Sequence, residues 1–168
     1  MLRTLCHVLA LCLLSATALS AQDLDVPSGD VILTVSGNVE NTNVDGTAQL
    51  DRAQLEALED ATIETRTIWT EGPQTFRGVP LDVLVDRLGI TGTTLRATAI
   101  NDYAVEIPLS DAVAGGPMIA YSLNGNPMSI RDKGPLWIIY PYDAKADYRS
   151  EVIYSRSIWQ LDRIEALD

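Results

Sequence analysis

The segment YSLNGNPMSIRDKGPLWIIYPYD, Tyr121 to Asp143, places two apolar runs either side of a polar turn. The first run, Met118 to Leu123, reads as a strand. It stops at Asn124-Gly125, the strongest tight-turn pair in the chain because both residues accept positive φ. The second run, Leu136 to Tyr140, is nearly unbroken, the pattern of a central strand covered on both faces. Tyr140 and Tyr142 then alternate around Pro141, so they share a face, and Asp143 follows.

Toward the N-terminus, Val31 to Ser36 reads as a strand closed by Gly37-Asn38. A turn at Asp45-Gly46 leads a short strand into Leu50. Asp51, with Gln54 three residues on, predicts an N-capped helix to about Leu58. Ala61 to Trp69 alternates cleanly, with Ile63, Thr65, Thr67 and Trp69 on one face. A loop through Glu71-Gly72-Pro73 and Phe76-Arg77 leads to Pro80, placed at the first position of a helix. Leu81, Leu84, Val85 and Leu88 form the apolar side of that helix and Gly89 ends it. Leu95 to Ile100 and Tyr103 to Ile107 make a hairpin around Asn101-Asp102, then Ser110 to Val113 a helical turn broken by Gly115-Gly116-Pro117. Toward the C-terminus, Ala146 to Tyr154 reads as helical and Ser157 to Ile164 as the last strand. Mixed strands and short helices without strict alternation indicate a single α+β domain over residues 31–168.

The first residues read as a targeting signal. Arg3 precedes the apolar run Leu5 to Leu14, and Ala18-Leu19-Ser20 supplies small residues for cleavage near residue 21. Residues 1–21 are therefore assigned to a signal peptide, 22–30 to a flexible arm, and the mature chain to the periplasm. Both cysteines (Cys6, Cys12) and the only histidine (His7) lie inside the signal. The 11 basic and 23 acidic residues that remain leave a formal charge of −12. A Cys nucleophile, a Ser-His-Asp triad and a Zn or Cu site all require side chains this mature chain lacks. So acidic a chain, with no basic run, is not built for nucleic acid. The scattered carboxylates Glu56, Glu59 and Asp60 read as a solvated helix face.

The order strand, Asn-Gly-x-Pro turn, Gly-Pro-Leu, apolar strand, proline resembles the sulfite oxidase-type molybdopterin-binding domain. RGVPLDVLVDRLGI (Arg77 to Ile90) resembles the helix after that family's cofactor loop. ATAINDYAVEIPLSDA (Ala97 to Ala112) resembles its central hairpin, and RSIWQLDRIE (Arg156 to Glu165) its closing strand. The family's molybdenum-binding cysteine falls in the loop where this chain has Thr67-Ile68-Trp69-Thr70. Its usual arginine after Gly-x-Pro-Leu is Trp137 here, and its basic pair near the end is reduced to Arg156-Ser157.

The resemblance, together with these departures, implies a retained fold without the metal grip. It is similar to small exported pterin-binding regulators that report to a membrane-bound cyclic-di-GMP enzyme. The expected function is an exported, non-catalytic pterin-binding protein that signals to such a partner. The alternatives are a molybdopterin-dependent oxidoreductase subunit and an interaction module without a ligand. A pterin is a flat polar heterocycle that takes aromatic or guanidinium stacking on its faces. Its pyrimidine edge suits a carboxylate, with an amide or Arg donating to its carbonyl. The candidate ligand-binding residues are Trp69, Thr70 and Arg77; Asn101, Asp102 and Tyr103; Tyr140, Tyr142 and Asp143; Arg156 and Ser157. Trp137 and Trp159 are assigned to the core. No residue is expected to ligate a metal or to act as a catalyst.

Overall fold

A computed structural model describes residues 24–168. The signal segment read at residues 1–21 lies outside them. The elements run β1 (Val31–Gly37), β2 (Ala48–Asp51), α1 (Arg52–Ala57), β3 (Ala61–Arg66), β4 (Pro73–Pro80), α2 (Leu81–Leu88), β5 (Thr94–Ala99), β6 (Ala104–Pro108), β7 (Met118–Leu123), β8 (Asn126–Pro127), β9 (Trp137–Ile139), α3 (Glu151–Arg156) and β10 (Leu161–Leu167). One five-stranded sheet has the order β2-β1-β10-β5-β6; the other has β3-β4-β7-β8, with β9 on β7. β1 runs parallel to β10; the other pairings within the two sheets are antiparallel. The fold is α+β, as the pattern predicts.

Leu81, Leu84 and Leu88, at helical spacing, are buried beneath α2, while Val85 is only half-buried. Each buried leucine contributes roughly 1.5–3 kcal/mol. Gly89 ends the helix in the left-handed conformation (φ 61). The apolar run at Leu136 to Tyr140 is fully buried and supplies β9.

Several boundaries differ from the pattern, each for a local reason. β3 stops at Arg66 because Thr67 Oγ1 accepts from the Trp69 amide (3.0 Å) and pairs with Thr70 Oγ1 (2.7 Å). Side-chain bonding of this kind draws the backbone off the ladder. The inward-outward alternation of β3 nevertheless continues to Trp69. The predicted loop before Pro80 is mostly β4, an eight-residue strand between β3 and β7. Its prolines sit at its ends, where a missing N–H is tolerated. Gly78 falls at a bulge where an added Cβ would lie 2.1 Å from the Ile119 carbonyl oxygen. Pro80 thus closes β4 and precedes the helix. The expected helix Ala146 to Tyr154 is split into a 3₁₀ turn (Ala146–Tyr148) and α3, which Ser150 caps by accepting from Ile153 N. The last strand starts at Leu161, since Ser157 belongs to the end of α3.

Within the arm, Asp25, Ser28 and Gly29 are hydrogen-bonded to the domain. Asp51 caps α1 through Gln54 N (2.9 Å), and its other oxygen accepts from Ser28 N (3.0 Å) and Gly29 N (2.8 Å). The Asp25 carbonyl accepts from Asn43 and Gln54. These donors, Gln54 N first, hold the Asp51 carboxyl below its ordinary 3.8. A lowered folded-state pKa gives a contribution complete above that value and lost as pH falls below it. Asp51→Asn is accordingly expected to lower Tm by a few degrees at pH 7, and by progressively less as pH falls below 3.8, read by circular dichroism melts.

Candidate functional site

Three segments meet at one end of the two sheets. The first is the turn after β3, carrying Trp69. The second is the β5–β6 hairpin, with Ala99, Asn101 and Tyr103. The third runs from the last turn of α3 to β10, with Tyr154, Ser155, Ser157, Ile158, Trp159 and Gln160. These ten residues line a cleft of about 390 Å³, within the size range of small-molecule sites. Backbone bonds stitch the third segment between its neighbours. Ile138 N donates to Ile158 O (2.9 Å), Ile100 N to Gln160 O (2.9 Å), and Leu161 N to Leu136 O (3.0 Å). Gln160 is left-handed (φ 53), which turns the chain from Trp159 into β10.

Trp69 is the hub of the cleft wall. Its ring stands edge-on to Trp137 (5.7 Å between centroids), Tyr154 (5.8 Å), Trp159 (5.7 Å) and Tyr142 (6.3 Å). Edge-to-face contact is the favourable arrangement of such rings. Trp137 is buried and locked by its indole N–H donating to Ser157 O (3.1 Å). The indoles of Trp69 and Trp159, the hydroxyls of Tyr103 and Tyr154 and the amide nitrogen of Asn101 have no hydrogen-bond partner among the described residues. Trp159 (38 % exposed) and Tyr103 (57 %) open this wall to solvent.

Four of the candidate residues therefore come together: Trp69, Asn101, Tyr103 and Ser157. The other seven do not line the cleft. Thr70 is held by Thr67. Arg77, on β4, forms an ion pair with Asp60, whose carboxylate also accepts from Tyr121 OH (3.3 Å). Asp102 takes the turn position (φ 66) and pairs with Arg163 at 2.7 Å. Asp143 accepts from the Arg66 amide (2.9 Å). Arg156 is bound to Asp111 (2.9 Å), which also accepts from Tyr140 OH (2.7 Å). Tyr140 and Tyr142 are buried, Tyr142 donating to Ser157 Oγ (2.6 Å). The expected carboxylate for a pterin edge is absent from the lining, because Asp102 and Asp143 are satisfied elsewhere. Asn101 and Gln160 supply amides instead. Trp159 moves from core to cleft wall. Tyr154, Ser155, Ile158 and Gln160 sit in a stretch that reads as helix and strand, and only the folded turn between α3 and β10 turns them to one side.

Burial raises the Tyr142 hydroxyl from its ordinary 10 to about 12, and burial together with Asp111 raises Tyr140 as well. The folded state thus favours the protonated tyrosine while the unfolded chain ionises from pH 10. That stability is complete below pH 10 and lost as pH rises toward 12, by roughly 3 kcal/mol for Tyr142 at about 1.4 kcal/mol per pH unit. Urea unfolding midpoints measured across this range should fall steeply, and less steeply in Tyr142→Phe.

The sequence model of the oxidoreductase molybdopterin-binding domain matches residues 30–146. The chain belongs to this family. The crystal structure of the sulfane dehydrogenase SoxCD from Paracoccus pantotrophus shares the fold, with a TM-score of 0.62 at 18% identity. The match covers 85% of this chain and 39% of that one. No curated protein matches.

The residues of this molybdopterin-binding domain suit only part of the group its family is named for. Residues 24–168 contain no cysteine and no histidine, and no cluster of three or more metal-ligating side chains occurs among them. The loop after β3 offers the mutually bonded hydroxyls of Thr67 and Thr70. The lining contains neither Lys nor Arg. These residues fit the flat ring system of such a group, and fit neither a protein-ligated metal nor a phosphate.

Proposed function

We propose that the chain is an exported, non-catalytic pterin-binding protein that signals to a membrane-bound partner such as a cyclic-di-GMP enzyme. The observation that carries the ligand reading is the cleft wall of Trp69, Tyr154 and Trp159, backed by Trp137 and edged by the uncommitted donors of Asn101 and Tyr103. Rigid rings supply faces for stacking at little entropic cost, and the donors orient a polar heterocycle. Membership of a molybdopterin-binding family supports a pterin-related ligand. The chemistry of the lining, which offers no charged acid or base and no thiolate, supports non-catalytic action. Export and the membrane partner rest on the N-terminal signal pattern and on the resemblance to exported regulators.

Native mass spectrometry of the protein purified from its own cell envelope, with molybdenum analysed in the same sample, tests the reading. An adduct of pterin mass without stoichiometric molybdenum is expected. A molybdopterin mass with stoichiometric molybdenum would overturn it in favour of the oxidoreductase subunit, which family membership makes the second reading.

A further inference from the structure

We infer that the cleft selects flat heterocycles without a phosphate and excludes their phosphorylated counterparts. The inference rests on the pterin-binding reading above and narrows the ligand class of that site. It sets this chain apart from the phosphate-bearing group of its family.

All ten lining residues are uncharged. The two arginines flanking the cleft are committed to ion pairs. Arg156, next to the lining residues Ser155 and Ser157, is bound at 2.9 Å to Asp111, which Tyr140 also engages. Arg163 is held by Asp102 (2.7 Å), by Asp162 (3.3 Å) and by the Ala99 carbonyl (3.2 Å). Lys133 lies outside the lining, its ammonium 5.5 Å from the Trp159 ring centroid and 5.7 Å from that of Trp137. Drawing any of these onto a phosphate means breaking an existing ion pair or ring contact. Asp102, at the hairpin tip, adds a largely exposed carboxylate. The end of α3 that meets the cleft is its C-terminal turn, through Tyr154, Ser155 and Ser157. Helix C-termini present carbonyl oxygens and disfavour anions.

A phosphate monoester carries close to two negative charges at neutral pH. Moved against uncharged walls and toward a carboxylate, it loses hydration without a charge-assisted hydrogen bond in return. The formal charge of −11 for the whole chain adds long-range repulsion. The uncharged ring of a pterin meets none of these penalties and keeps the stacking and amide contacts.

Isothermal titration of the purified chain with neopterin and with neopterin monophosphate tests this, since the two probes differ only in the phosphate. Neopterin should bind, and the monophosphate should bind at least roughly tenfold more weakly at low ionic strength, with the gap narrowing as salt screens the repulsion. Ser155→Lys, on an exposed position of the lining, should narrow the gap by strengthening the monophosphate. Equal or tighter binding of the monophosphate, or a gap that Ser155→Lys leaves unchanged, would overturn the inference while the pterin reading stands. Binding of neither probe would overturn both.

Discussion

Trp137→Ala is expected to lower the unfolding free energy by about 3–5 kcal/mol, the range for removing a large buried aromatic. The side chain is 0% exposed. It packs edge-on against Phe76 (5.4 Å) and Trp69 (5.7 Å), and its indole N–H satisfies the Ser157 carbonyl. Alanine would leave a void among rings that cannot collapse into it, and a buried carbonyl without its donor. A domain with a total stability of about 5–15 kcal/mol has little margin for such a loss. Urea denaturation should show a much lower midpoint with an unchanged slope. A loss under about 1 kcal/mol would mean that the ring cluster is not a rigid backing for the cleft.

The second large effect concerns binding. Trp159→Ala should weaken pterin affinity by at least about tenfold, because loss of an aromatic stacking partner costs roughly 1–3 kcal/mol. The stability cost should be small, since Trp159 is 38 % exposed and its ring contacts to Trp69 and Trp137 are edge contacts at 5.7 and 6.3 Å. Trp159→Phe, which keeps a ring, should recover most of the affinity. Titration of each variant with neopterin, followed by calorimetry, separates the two expectations. Unchanged affinity in Trp159→Ala would remove this residue from the cleft's binding wall.

Much of the fold is legible in local chemistry. The Asp51 cap, the Leu81, Leu84 and Leu88 stripe, Gly89 and the Leu136 to Tyr140 run carry their structure in short-range patterns. β4 does not, because Gly72, Pro73, Gly78 and Pro80 carry loop propensity. Its strand character comes from pairing with β3 and β7, a tertiary effect that overrides propensity. The site divides along the same line. Trp69, Asn101 and Tyr103 stand where strands end, and their gathering follows from the alternation of β3 and the hairpin at Asn101-Asp102. The charged candidates all lie outside the cleft lining. Arg77, Asp102, Asp143 and Arg156 each found a partner inside the fold, at Asp60, Arg163, Arg66 and Asp111. Such long-range ion pairs leave no mark in sequence spacing. Trp159 reads as core by residue type, and only the left-handed turn at Gln160 shows why its ring faces the cleft.

The three tryptophans of the chain give a direct test of the central claim, that the aromatic cleft holds a pterin. The measurement is a ¹⁵N–¹H spectrum of their indole N–H groups before and after neopterin is added. The Trp69 and Trp159 resonances should shift strongly, since both indoles line the cleft without a partner among the described residues. The Trp137 resonance, bound to the Ser157 carbonyl in the interior, should move least. Three unmoved resonances at saturating neopterin, or a shift confined to Trp137, would contradict the account.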